Sequence, residues 1–184
     1  MPKAIVRNAM ISGALIFLIF VVLKLMANTG AENMDNIGDT RSMLLFLNGF
    51  FFPGFFFGIA MILALPEAAI WKKVTYVLAS TVVHIIVAYS GVEGDLFLLA
   101  TASLAGPTMI FLTNGLLWPG INTVRQGLIA LPISAVAVMP LYYTFSTMGD
   151  TVEAPTLLGF TSFFFWPVFM SYVLTRFRWP QAAK

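Results

Sequence analysis

The chain is predicted to be an all-α, polytopic transmembrane helix bundle of six spans with both termini in the cytoplasm. Three observations predict it. Of the 184 residues, 59% are hydrophobic and only 10% charged, with a mean hydropathy of +0.90, which leaves too few polar side chains to clothe a water-soluble globule of this length. The apolar residues form long unbroken runs rather than an alternation. Every peptide group in hydrocarbon needs an internal partner, so such runs are helices and not barrel strands. The third observation is charge. With the N-terminus inside, Lys3, Arg7, Lys72, Lys73, Arg125, Arg176, Arg178 and Lys184 all fall on the cytoplasmic side, where lysine and arginine collect. Arg41 alone falls clearly outside, and Lys24 can snorkel outward from a helix end. Glu32, Asp35, Asp39, Glu93, Asp95, Asp150 and Glu153 separate to the other side, with Glu67 the exception.

A spanning helix needs about 20 apolar residues, and the expected helices are 9–27, 43–65, 74–90, 96–118, 128–146 and 156–175. They fill the chain as a single integral membrane domain over 1–184, with no room for a separate soluble one. The first follows Lys3 and Arg7 and has Leu25-Met26-Ala27 where a signal peptide would be cleaved; it is read as a membrane helix. The second and third are bounded by the loop 29–42 and by the Lys72-Lys73 flank. That loop, acidic and glycine-containing, is a solvated connection whose functional reading is a lid or docking loop. Pro107 interrupts the fourth, and 118–127 is polar enough to be a loop, a half-helix or a re-entrant turn. The fifth and sixth return the chain to an arginine-flanked C-terminus. This orientation implies a multi-pass protein of the plasma membrane, which in a bacterium is the inner membrane.

The chain also echoes itself. Asn48-Gly49-x-x-x-Pro53-Gly54 recurs as Asn114-Gly115-x-x-x-Pro119-Gly120, and at the same offset Met43 matches Met109, Ala64-Leu65-Pro66 matches Ala130-Leu131-Pro132, Ala69 matches Ala135, Tyr76 matches Tyr142 and Ser80 matches Ser146. The register runs without a gap from 43–80 to 109–146. Transporter folds carry such internal repeats, with glycine- and proline-broken segments marking the binding region. Apolar sequence of low complexity also produces matches of this kind.

Few residues bear chemistry. Asn48 and Asn114 are amides within apolar runs, and an amide in hydrocarbon either bonds a neighbouring helix or lines a wet cavity. Tyr76, Ser80 and His84 follow at i, i+4 and i+8, one semi-polar stripe that should face the bundle. His84, the only histidine, suits a proton relay, a pH-sensitive gate, an axial haem ligand or a structural hydrogen bond. Together with Tyr142, these five residues form the expected solute-binding or pore-lining set. Gly54 and Gly58 have the small-residue spacing that lets helices approach closely, either within the chain or in an oligomer seam. Phe50, Phe51, Phe52, Phe55, Phe56 and Phe57 around them serve packing and lipid contact. Trp118 and Trp179 suit an interfacial belt.

Much is excluded. Zero cysteines rule out disulfides, thiolate metal sites and cysteine nucleophiles. No paired carboxylates, metal-ligand spacing or serine-nucleophile motif occurs, so no catalytic or metal residue is assigned and no enzyme is advertised. One histidine cannot ligate a haem twice, and Lys24 has no counterion for a retinal Schiff base, so no cofactor is assigned. No carboxylate lies mid-helix, which disfavours ion coupling through one. The basic residues flank apolar runs rather than forming an aromatic-interleaved patch, so nucleic acid is not a partner. Membrane lipid is, with a second copy or other membrane subunits. The expected function is transport or channel-type handling of an uncharged or weakly polar solute; the alternative is a non-catalytic subunit of a larger membrane complex that binds lipid, pigment or partners.

Overall fold

The computed structural model describes residues 2–28, 47–64, 68–120, 122–148, 159 and 161–176. The described residues are helical and contain no strand. Six helices follow one another: α1 (Pro2–Asn28), α2 (Phe52–Leu63), α3 (Ile70–Glu93), α4 (Asp95–Leu112), α5 (Thr123–Met148) and α6 (Ser162–Arg176). Stretches within α1, α3, α4 with its π-helical extension, and α5 are long and apolar enough to cross a membrane. Helix α2 has 12 residues and α6 has 15. At 1.5 Å per residue α6 reaches only about 22 Å, short of the roughly 30 Å of a bilayer's hydrocarbon. The loop 29–42, Met43, Leu65, Pro66, Glu67, Asp150, Glu153, Arg178 and Trp179 lie outside the described residues.

The helices form a closed ring in chain order. Each packs on the next, and α6 returns to pack on α1. Lys3, Arg7, Lys72, Lys73, Arg125 and Arg176 gather at one end, the basic end. Glu93 and Asp95 flank the hairpin at the other, the acidic end. Beside its apolar core the ring buries a set of polar side chains and turns large aliphatic ones outward. Ser80, Thr113, Asn114, Gln126, Ser134, Ser162 and Ser171 are buried, whereas Leu63, Ile70, Leu78, Leu96, Val124 and Leu128 are exposed. That polarity fits a lipid surround. At the basic end a single apolar cluster draws on all six helices, including Ile5, Met61, Tyr76, Met109, Trp118, Ala130 and Leu174.

Glycine decides where backbones meet. A Cβ at Gly13 on α1 would stand 2.9 Å from the Phe164 Cα on α6; one at Gly54 on α2 would stand 2.6 Å from the His84 Cβ and 2.7 Å from the Ser80 carbonyl oxygen on α3; one at Gly106 on α4 would stand 2.8 Å from the Ser134 Cβ on α5. Three alternate seams of the ring, α6–α1, α2–α3 and α4–α5, are therefore closed by the absence of a side chain. The remaining three are tied by side-chain hydrogen bonds: Asn8 Nδ2 to the Ala60 carbonyl between α1 and α2, Tyr76 with Thr113 and Ser90 with Thr101 between α3 and the α4 segment, and Trp166 Nε1 to Ser134 Oγ between α6 and α5.

Several expectations change. The fourth helix runs through Pro107, as the expected span 96–118 has it, but its last turn, Thr113–Leu117, is π-helical; a proline inside a packed membrane helix loses one hydrogen bond without unwinding it. The fifth begins at Thr123, so the stretch 118–127, open between a loop, a half-helix and a re-entrant turn, is helical in its second half. Trp118 is buried in the core at 6% exposure, not in an interfacial belt; exposed Trp71, with the Lys72 ammonium 5.6 Å from its ring centre, has that character instead. The Gly54-x-x-x-Gly58 spacing faces α3, Gly58 lying against the Val77 Cα, so it joins helices of one chain. The two copies of the echo differ in backbone: 48–54 is helical but for a turn at 51, whereas 114–120 runs from the π-turn into non-helical chain.

Gly54→Ala should therefore force α2 off α3 and cost about 1–3 kcal/mol, the usual range for overpacking, whereas Gly49→Ala, in a helical stretch with open space around its Cβ position, should be neutral or stabilise by up to about 1 kcal/mol, the usual helix-propensity gain of alanine over glycine. Thermal unfolding in detergent, followed by circular dichroism, checks the contrast; equal effects would contradict the seam.

Candidate functional site

The site begins with a backbone fault. Pro53 has no N–H, so the carbonyl four residues earlier, on Gly49, loses its helical donor. The stretch 47–50 is helical, 51 is a turn, and α2 resumes at Phe52. Across the glycine seam, His84 Nε2 lies 2.8 Å from the freed Gly49 oxygen. A carbonyl only accepts, so the ring carries its proton on Nε2 and donates. One turn nearer the basic end, Ser80 Oγ donates to the Gly54 carbonyl at 2.6 Å. Helical spacing explains the pair: residues four apart on α3 present side by side toward α2. The missing Cβ at Gly54 admits both.

Asn48 adjoins this repair and is not itself repaired. Its side chain is fully buried, and among the described residues neither its amide nitrogen nor its amide oxygen has a hydrogen-bond partner. An amide offers two donors and two acceptor sites. Leaving such groups buried and unpaired costs about 1–3 kcal/mol each. The Ser12 hydroxyl is the one other buried side-chain polar atom without a partner among the described residues.

A second polar group occupies the basic end, and it is closed. Thr113 Oγ1 donates to the Met109 carbonyl at 2.7 Å, so Tyr76 Oη donates to Thr113 Oγ1 at 2.8 Å. Asn114 Nδ2 donates to Gln126 Oε1 at 2.8 Å and to Thr123 Oγ1 at 3.1 Å. The chain continues outward: Gln126 Nε2 donates to the Leu174 carbonyl of α6 and Thr123 Oγ1 to the Gly120 carbonyl. The π-turn lets this happen. Its i+5 bond, Trp118 N to the Thr113 carbonyl at 2.7 Å, widens the helix where Asn114 turns toward α5; such bulges are frequent at functional sites.

The structure thus divides the expected lining set. Ser80 and His84 join α3 to the broken α2 beside Asn48. Tyr76 and Asn114 belong to the basic-end network, and Tyr142 lies half-buried toward the acidic end of α5, with no hydrogen bond among the described residues to the others. Gln126, Thr113, Thr123, Ser134 and Trp166 enter as polar ties that residue-by-residue reading passes over. Gln126 stands beside Arg125 in a stretch that reads as a polar loop, yet it is 1% exposed. Its spacing of 12 from Asn114 is legible only once both are known to be helical. Among the described residues no three His, Cys, Asp or Glu side chains cluster as metal ligands. An open groove on the α3–α4 flank is lined by none of the six residues.

No protein-family model, curated protein or solved structure matches the chain.

The His84 contact makes a quantitative expectation. His84→Ala should destabilise by about 1–3 kcal/mol, the cost of an orphaned buried carbonyl. Pro53→Ala restores an N–H to the Gly49 oxygen, so His84→Ala should cost markedly less in that background. A double-mutant cycle by thermal unfolding measures the coupling, and strictly additive effects would refute the repair.

Proposed function

We propose that the chain is a six-span plasma-membrane protein of transport or channel type, its basic end cytoplasmic, that takes an uncharged or weakly polar solute at Asn48. The unpaired amide carries this reading. A buried group that presents both donors and acceptors with nothing to meet them stabilises the fold less than leucine would, so its use is to meet a guest. Several features support the reading. The helix loses one backbone bond and turns at Phe51 beside Asn48, a milder form of the irregularity by which discontinuous helices in transporters expose polar groups to solute. His84 holds the freed carbonyl and keeps the break in one shape. No charged side chain belongs to the polar seam, which favours neutral cargo. The separation of basic from acidic ends supports the orientation, and the gapless register of the sequence echo supports an ancient duplication whose second copy has become a structural tie.

Asn48→Leu tests it in two readouts. The variant should unfold about 1–3 kcal/mol later, since an orphan amide is removed, while proteoliposomes challenged with a glycerol or urea gradient should lose about tenfold of their protein-dependent reswelling rate, equivalent to about 1.4 kcal/mol. Asn114→Leu should instead lower stability by leaving Gln126 and Thr123 without their donor. Wild-type vesicles that reswell no faster than protein-free ones with either probe, or an Asn48→Leu variant that reswells normally, overturn the proposal.

A different observation favours a second reading. Tyr76, Ser80, His84 and Asn114 all have their hydrogen bonds within the chain, as befits a non-catalytic subunit that offers its outer surface to partners, lipid or pigment. On that reading, purification in mild detergent should bring heterologous subunits at fixed stoichiometry; a chain that travels alone contradicts it.

A further inference from the structure

The groove on the flank of the ring is independent of the Asn48 reading. It measures about 420 Å³ and is lined by Ile85, Ile86, Tyr89, Ser90, Glu93 and Phe97. The hairpin creates it. Gly94 has φ +146°, a conformation that L side chains rarely adopt, and so turns the chain from α3 into α4 within one residue. Ser90 is already engaged with Thr101 and the Val87 carbonyl. What remains is ordered along α3: Ile85 and Ile86, then Tyr89, then Glu93, each step about one helical turn, with Phe97 as the facing wall. Tyr89 is 59% exposed and Phe97 63%. Glu93 is the only charged lining residue; Asp95 follows across Gly94, and no basic side chain lines the groove.

We infer that this groove binds a phospholipid with an ammonium headgroup. Its acyl chain lies along Ile85, Ile86 and Phe97, its phosphate accepts from the Tyr89 hydroxyl, and its ammonium pairs with the Glu93 carboxylate. Two arguments carry this. The order apolar, phenol, carboxylate toward the end of α3 is the order tail, phosphate, ammonium in such a lipid, and amphipathic tyrosine belongs at headgroup depth. The charge complement is also selective: a zwitterionic headgroup offers Glu93 a cation, whereas an anionic lipid brings its phosphate to a carboxylate with no base to offset the repulsion.

Native mass spectrometry of the full chain in mild detergent, titrated with phosphatidylethanolamine and phosphatidylglycerol of identical tails, tests the inference. The ethanolamine lipid should be retained preferentially, and Glu93→Gln should lower its retention about fivefold, as expected for a partly exposed ion pair, while leaving the glycerol lipid unchanged. Ile86→Trp, which fills the groove at an exposed position, should lower retention of both. Equal retention of the two lipids by the wild type, or a Glu93→Gln variant with unaltered selectivity, overturns the proposal and leaves only non-specific surrounding lipid.

Discussion

Wherever the long apolar helices of this chain lie in lipid, their peptide groups have to be satisfied inside the protein, because apolar surroundings offer no water to do it. Prolines make that demand visible. Pro53, Pro107, Pro132, Pro140 and Pro167 all lie within helices, and each removes one backbone donor. Two of the faults have hydrogen bonds to neighbouring helices at or beside them. His84 donates to the carbonyl that Pro53 frees. Next to Pro140, the Leu141 N–H donates to Ser162 Oγ of α6 at 3.1 Å, a tie between helices beside the fault. These bonds are also joints: a fault in one helix lies at a tie to another. That coupling explains why semi-polar residues are buried here while leucine and isoleucine face outward.

Between helices in lipid there is no hydrophobic force to speak of, so contact has to come from close packing and hydrogen bonds. The ring alternates the two means. Gly13, Gly54 and Gly106 let three pairs of backbones touch, and Asn8, Tyr76 with Thr113, and Trp166 tie the seams between those pairs. At α2–α3 and α4–α5 both means coincide: Ser134 Oγ donates to the Ala102 carbonyl beside Gly106, as Ser80 does to Gly54. Closure of α6 on α1 then depends chiefly on Gly13 and on the stacking of Phe20 with Phe163, ring centres 5.0 Å apart.

How much of this was legible in the sequence depended on whether one residue or a pair carried the information. The all-helical class follows from composition, and the polar stripe Tyr76, Ser80, His84 from spacing on a single helix, so both could be read directly. Gly54 and Gly58 could be read as a packing face but not assigned a partner, since the pattern is the same for a neighbouring helix and a second chain. The helix across Pro107 could be read from its apolar length, but the π-turn Thr113–Leu117 that ends it could not, because no local pattern marks a single displaced hydrogen bond. Trp118 and Gln126 were hidden for a related reason: interfacial-looking residues beside Arg125 were drawn inward by a π-turn that no local pattern announces.

Asn48 stands out against this background because, among the buried polar side chains of the described residues, only the Ser12 hydroxyl shares its lack of a partner. A fold that recruits a histidine across a seam to serve one carbonyl does not leave an adjacent amide bare for want of available donors. The position also matters. The apolar cluster of Ile5, Met61, Tyr76, Met109, Trp118, Ala130 and Leu174 fills the basic end with side chains from every helix, while Asn48 lies beyond it toward the acidic end. On the proposed reading, solute therefore meets the amide first and the packed cluster second, so the cluster is the barrier and the amide the recognition point. The basic end is also where the π-turn and its Asn114–Gln126 network sit. A π-bulge holds its extra residue by one displaced hydrogen bond and can return to α-helical register by shifting it. The barrier thus adjoins a stretch of backbone, Thr113–Leu117, whose register has a second nearby solution.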